Sequence, residues 1–268
     1  MTFGGPHLTY VGGPTLLIEW NGLRLLTDPT FDPGSTDYPT GAYTLHKTQS
    51  PALAPEQLGH LDAVLLSHDH HFDNLDHAGR DLVSRVERVL TTTAGAARLG
   101  PNARGLAPWD EIGLRAPDGR PLRISATPAR HGPEHGDRGP VIGFVLAWDG
   151  DTPPTSGLYI SGDSVWYEGM REVGERFRIG AAILFLGAAK VAAAGALPLT
   201  LTAVEGVEAA RAFAPATVVP VHYEGWKHFS ESRQDIEATF AAAGLSRRLQ
   251  WLAAGQPTAL RWPDSPPP

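Results

Sequence analysis

Ala63-Val64-Leu65-Leu66-Ser67-His68-Asp69-His70-His71-Phe72-Asp73-Asn74 joins a continuous apolar run to a dense set of imidazoles and carboxylates. Four consecutive apolar residues bounded by polar ones have the pattern of a short strand covered on both faces. Loops at strand ends are where a rigid scaffold presents reactive groups. The stretch therefore predicts a buried strand that delivers potential metal ligands into a loop.

The flanking sequence supplies more strands. Thr15–Trp20 and Leu23–Thr27 are separated by Asn21-Gly22, the dipeptide that favours a two-residue hairpin turn, and His7–Val11 reads as a strand before them. Residues 29–55 are rich in Pro, Gly, Thr and Asp, and a loop of that length in a compact domain is usually functional. Further on, helical spacing covers residues 76–86, and strand patterns cover 89–92, 122–127, 141–148 and 158–161. A helix is expected over 166–177, a buried strand over 183–186, and a helix from the capping pair Thr202/Glu205 to Phe213. A buried strand over 217–221, a helix over 234–243 and two short strands complete the chain. Hairpin-connected early strands with later interspersed helices fit a two-sheet core covered by helices better than a doubly wound sheet.

Six potential ligands follow strand-like runs in four places: His68, His70 and Asp73; His131; Asp163; and His222. A divalent ion needs several lone pairs converging at about 2.0–2.2 Å, supplied here by imidazole and carboxylate. His-x-His at a strand end directs two imidazoles to one side, by the period-two alternation of side chains. A histidine from another strand would complete a three-histidine face, and Asp163 would bridge to a second ion approached by Asp73 and His222. The chain has no cysteine, so disulfides, thiolate nucleophiles and sulfur ligands are excluded.

This ordered set resembles the metallo-β-lactamase superfamily, from the Thr15–Asp28 hairpin through to His222. Leu26-Thr-Asp-Pro29, Ser67-His-Asp-His70, Tyr159-Ile-Ser-Gly-Asp163 and Pro220-Val-His222 look like the branch holding ascorbate-phosphate lactonases and N-acyl-phosphatidylethanolamine phospholipase D. The resemblance implies an αββα four-layer sandwich of mixed α/β (α+β) class. It also implies one metal held by His68, His70 and His131, and another held by Asp73, Asp163 and His222. The family's motif places Asp four residues after the first His, where this chain has Phe72. Asp73 and Asn74 take the Asp-His positions if one residue is inserted near His71, and Asn74 then stands in place of a histidine. His71 and the Asn74 carbonyl oxygen are candidates for the missing ligand.

Other polar residues divide. His7, His46, His60 and His77 read as surface or packed side chains. Asp69 alternates away from its neighbours and is expected behind a ligand, paired to a histidine. Asp28 either shapes the turn at Pro29 or orients the site. Trp226, His228, His135 and Lys190 are candidates to line a substrate pocket, as are Trp166, Lys47 and Arg138.

The expectation is one domain over residues 1–262 with a flexible tail over 263–268. The reaction implied is metal-dependent hydrolysis of an ester, lactone or phosphodiester by metal-activated hydroxide, with Asp73 or His222 moving the proton. Zn2+, as one or two ions, is the default, and Mn2+ or Fe2+ suit the same nitrogen–oxygen donors. Two other classes share these residues: a mono- or di-iron oxidoreductase on the same fold, and a non-catalytic metal-binding module. A net charge of −7 argues against nucleic acid as partner and leaves a small molecule, anionic if it meets Lys190. No run is long and apolar enough to span a bilayer, and no signal-peptide pattern opens the sequence, so a cytoplasmic protein is expected.

Overall fold

The computed structural model describes residues 5–148 and 156–263. Strands β1 (His7–Gly12), β2 (Thr15–Trp20) and β3 (Leu23–Thr27) open the chain, followed by a small hairpin of β4 (Asp37–Pro39) and β5 (Thr44–His46). Then come β6 (Ala63–Leu65), helix α1 (His77–Arg85), β7 (Val89–Thr92), α2 (Thr93–Leu99) and β8 (Ala103–Leu106). The second half holds β9 (Glu111–Arg115), β10 (Pro121–Pro128), β11 (Ile142–Trp148) and β12 (Gly157–Ile160). It continues with α3 (Glu168–Arg176), β13 (Ile179–Phe185), α4 (Ala203–Phe213), β14 (Thr217–Val221), α5 (Arg233–Ala242) and β15 (Thr258–Ala259).

Two sheets form the core, in the orders β15-β1-β2-β3-β6-β7-β8 and β14-β13-β12-β11-β10-β9. Each is antiparallel in one half and parallel in the other: β3, β6, β7 and β8 run parallel, as do β12, β13 and β14. The central parallel strands β6 and β13 are apolar on both faces, and alternation sorts their side chains into layers. Ala63 and Leu65 face the core between the sheets, where they join Ile183 and Phe185 of β13. Val64 and Leu66 pack outward with Val83 of α1. On the far side, Ala182 and Leu184 pack against Met170, Val207 and Ile236 of α3, α4 and α5. The result is helix, sheet, sheet, helix: the expected αββα sandwich.

Local signals act as the sequence predicts. Asn21 and Gly22 take φ of 49° and 83°, the left-handed pair a type I′ turn requires. Thr202 and Glu205 form a reciprocal capping box at α4. The structure adds α2, β8, β9 and the β4–β5 hairpin. Helix α2 is only seven residues long, started by the Thr92 hydroxyl accepting from Gly95 N at 2.9 Å; such a length is too short for periodicity to register. β8 carries Arg104 and Gly105, and exists through its ladder with β7. Of the two closing strands expected, the described residues contain β15. The expected tail lies outside the described residues from 264 onward. Among the described residues no helix is long and apolar enough to cross a membrane.

Candidate metal centre

The ends of β6, β10, β12 and β14 meet at one edge of the sandwich, and each carries its histidine or aspartate there. Beyond Leu65 the chain bends and leaves strand geometry, so the alternation expected of His68 and His70 lapses. A turn with Leu75 N donating to His71 O at 3.0 Å follows directly. This bend brings His71, rather than His70, to the focus shared with His131. His71 Nδ1 lies 3.0 Å from both His68 Nε2 and His131 Nε2. Donors at about 2.1 Å around one ion stand roughly 3–3.4 Å apart, so His71 Nδ1 has the spacing of a co-ligand to each of the other two nitrogens. His70 lies at the solvent edge. Its ring stays close enough to group with His68 and His71, but its Nε2 sits 2.9 Å from the Arg138 carbonyl oxygen.

Asp163 closes the same cluster, with Oδ2 at 3.5 Å from His131 Nε2 and 3.9 Å from His68 Nε2. Its Oδ1 is 3.4 Å from His222 Nε2, and His222 Nε2 is in turn 3.5 Å from Asp73 Oδ2. Beside the grouping of His68, His70 and His71, two more result: His68, His131 and Asp163, and Asp73, Asp163 and His222. Asp163 stands between them. Gly162, at φ +59°, lets this loop pass Ser67: a Cβ there would meet Ile142 O at 2.7 Å and Ser67 Cβ at 2.9 Å. His222 itself has φ +54°, a conformation costing of order 1–3 kcal/mol for a non-glycine residue. Its amide, donating to Gly13 O at 2.9 Å, helps to hold it.

The tautomers are fixed from behind. His131 Nδ1 donates to Leu199 O at 2.9 Å, leaving Nε2 with its lone pair toward the cluster. Ser67 Oγ donates to Asp28 Oδ1 at 2.7 Å, so it accepts from His68 Nδ1 at 2.9 Å, and His68 Nε2 also presents a lone pair. Asp28 further accepts from Ser67 N at 2.9 Å. Such partners behind a ligand set its orientation and basicity.

Electrostatics favour neutral imidazoles. Burial and the neighbouring rings hold His68 well below the usual histidine range. Burial, with His131 close by, lowers His71 to about 3, and burial lowers His131 to about 4. Burial lowers His222 too, against the pull of Asp73. Asp163 is pushed well up by burial and by Asp73 and Asp28. Burial also opposes ionisation of Asp73, but His228 and His222 outweigh it and hold that carboxyl low. Asn74 is fully buried beside Asp28 and Asp163 and favours their charged forms; neither of its amide atoms makes a well-formed hydrogen bond.

Both carboxylate oxygens of Asp163 and both ring nitrogens of His222 are buried without a hydrogen-bond partner. Leaving such atoms unpaired costs about 1–3 kcal/mol each, and native proteins seldom do so. A cation held among them would take the lone pairs of Asp163 and of His222 Nε2, and the all nitrogen–oxygen donor set suits zinc, manganese or iron. The residues present therefore fit a divalent metal.

The remaining candidates scatter. His228 Nε2 lies 3.0 Å from Asp73 Oδ2. Asp69 is buried and bridges to Arg98 Nε at 2.7 Å rather than to a histidine, and Arg80 holds its carbonyl. Trp226 is buried against Tyr38 and Lys47. Trp166 packs on Phe213, and His135 is exposed. Lys47 Nζ is buried in an ion pair with Asp76 Oδ2 at 2.8 Å. Asp76 was not singled out by sequence; it also accepts from the amides of Phe31, Asp32 and Gly79, pinning the long loop to the start of α1. That loop reaches the site. Tyr43 and Leu45 join His71, Asp73, His131, Arg138, Val191 and Leu199 around an inner cavity of about 20 Å3. An outer cavity of about 270 Å3 adjoins it, lined by Tyr43, Leu45, Val191 and His228 together with His46, Lys190 and Lys227.

The family model described as "Beta-lactamase superfamily domain" matches residues 23–223. A metal-dependent hydrolase from Pelotomaculum thermopropionicum is 29% identical over 205 residues, covering 73% of this chain and 81% of its own. One from Pyrobaculum arsenaticum is 25% identical over 249 residues, covering 90% and 94%. Among solved structures, the isothiocyanate hydrolase from Delia radicum gut bacteria superposes with a TM-score of 0.80 at 24% identity, covering 95% of this chain and 99% of that one. The chain belongs to the metallo-β-lactamase superfamily of metal-dependent hydrolases.

Proposed function

We propose that the protein hydrolyses an ester, lactone or phosphodiester bond of a small anionic molecule, with divalent metal held by His68, His71, His131 and Asp163 and by Asp73, Asp163 and His222. The observation that carries this reading is the buried, unpartnered set of donor atoms on Asp163 and His222 beside the three-histidine focus. Zinc is the metal of first choice. The chemistry supplied by such an ion is activation of water near neutral pH and stabilisation of negative charge on oxygen.

The chain's own groups do the rest. Neutral His68, His71 and His131 keep their lone pairs free of protons at physiological pH. Asp73, kept ionised by His228 and His222, lines the inner cavity and would hold metal there while accepting a hydrogen bond from a water beside it. The apolar wall of Leu45, Ala189, Val191 and Leu199 limits bulk water there. Lys190 and Lys227 face the outer cavity and favour an anionic substrate over a cationic one.

The test is a panel of carboxylic esters, lactones and phosphodiesters assayed with protein loaded with zinc, manganese or iron, and again after chelation. Turnover that vanishes on chelation and returns with metal supports the reading. Oxygen uptake by the iron-loaded protein without hydrolysis of any panel member would replace it with an oxidoreductase.

A further inference from the structure

Several cationic side chains of the described residues have a visible partner. Arg98 bridges Asp69, Lys47 bridges Asp76, and Arg130 lies over the Tyr167 ring. Arg138 does not. It lines the inner cavity beside His71 and His131, its Nε is buried without a hydrogen-bond partner, and among the described residues no carboxylate pairs with its guanidinium.

Its backbone is nonetheless fixed at both ends. Arg138 N donates to His131 O at 2.9 Å, and Arg138 O accepts from His70 Nε2 at the same distance. Gly139, at φ +109°, makes the second contact possible, since a Cβ there would sit 3.0 Å from His70 Nε2. His70 thus acts on Arg138 and so on the cavity. Among the described residues Asp73 is the one acid lining the cavity, and it is already engaged by His222 and His228.

The guanidinium of a residue lining a cavity that would also hold divalent metal faces positive charge unless an anion lies between. Its planar fork matches an oxyanion in two-pronged geometry. Resting on the hydrolase reading above, we propose that Arg138 binds an oxyanion of the substrate, a carboxylate or phosphate group adjacent to the bond that is cleaved, and so sets specificity. The substrate is then a small molecule anionic at its reacting end, with its bulk in the outer cavity near Lys190 and Lys227.

The experiment measures binding of benzoate and of inorganic phosphate to the metal-loaded protein by calorimetry, for wild type, Arg138→Gln and Arg138→Lys, with metal content determined in each. Arg138→Gln is expected to weaken the preferred anion by about 10- to 100-fold, the range for hydrogen bonds to a charged group, at unchanged metal content. Arg138→Lys should recover part of the loss. Whichever anion shows the larger loss identifies the substrate's group. Affinities for both anions within twofold of wild type in Arg138→Gln would overturn the proposal, as would loss of metal in step with loss of anion binding. A paired assay compares an ester bearing a free carboxylate with its methyl ester; the substitution should raise KM for the charged ester by at least about tenfold more than for the neutral one, and an equal rise for both would overturn the proposal. If the loaded wild type cleaves neither ester, the hydrolase reading suffers while anion binding still decides the role of Arg138.

Discussion

His71 Nδ1 and His131 Nε2, from loops that follow strands in different sheets, stand 3.0 Å apart, and His68 Nε2 is equally close to His71. His70, one residue earlier, gives its Nε2 to the Arg138 carbonyl. The two adjacent histidines are thus separated by the bend after β6, and their variants should behave differently. His71→Ala is expected to lose at least one equivalent of metal and to lower activity by more than about 100-fold, since a ligand matters more than the partners behind it. His70→Ala should keep metal content within experimental error. Elemental analysis of the two purified variants decides the point.

Protonation of the cluster follows from burial. His71 and His131 sit at about 3 and about 4 in the folded chain, against about 6.5 when unfolded. Between those values the unfolded chain binds more protons, so these two histidines make stability rise with pH over roughly 3 to 6.5 and fall as the solution is acidified through that window. Asp28, raised by burial to about 7, acts in the opposite sense: its contribution is fully present below about 4 and is lost as pH rises toward 7. Histidine proton NMR of metal-free protein should therefore show the His71 and His131 rings unprotonated at pH 5.5, roughly a unit below the ordinary histidine midpoint.

Asp28 touches no candidate ligand nitrogen, yet it orients His68 through the Ser67 hydroxyl. Asp28→Ala should weaken metal affinity by about 10- to 100-fold, the range seen when such supporting partners are removed. Chelator competition would measure it. The Ser67→Ala variant should fall in the same range, because both break one chain of hydrogen bonds.

Lys47 and Asp76 form a buried ion pair that includes none of the candidate metal ligands. Lys47→Met leaves Asp76 buried with its charge uncompensated, and breaking such a pair costs about 3–5 kcal/mol. The three backbone amides that Asp76 also accepts place the expected loss near the lower end, about 3 kcal/mol. Urea unfolding of the metal-loaded variant should show that loss with metal stoichiometry unchanged.

The sequence made the architecture legible because its decisive strands are unambiguous. Ala63–Leu66 and Ile183–Leu186 are apolar on both faces, and Asn21-Gly22 can hardly be anything but a hairpin turn. The strand ends that carry His68, His131, Asp163 and His222 could therefore be located in advance, and the structure gathers all four. The closer approach of His71 than of His70 to His131 could not be read, because period-two alternation holds only inside a strand and this chain leaves strand geometry at Leu66. Asp69 likewise looked like a partner for histidine until Arg98, distant in sequence and close in space, met it. The Asp76–Lys47 pair and the Leu199 carbonyl behind His131 were hidden for the same reason: each depends on long-range packing that no local pattern records.

The central claim is that His68, His71, His131 and Asp163 hold a divalent metal, and anomalous scattering from crystals of the zinc-loaded protein tests it most directly. The account predicts a peak within about 2.0–2.2 Å of His68 Nε2, His71 Nδ1, His131 Nε2 and an Asp163 oxygen, with any second peak bounded by Asp73, Asp163 and His222. A peak coordinated by His70 with His71 turned away, or no peak among these residues, would contradict it.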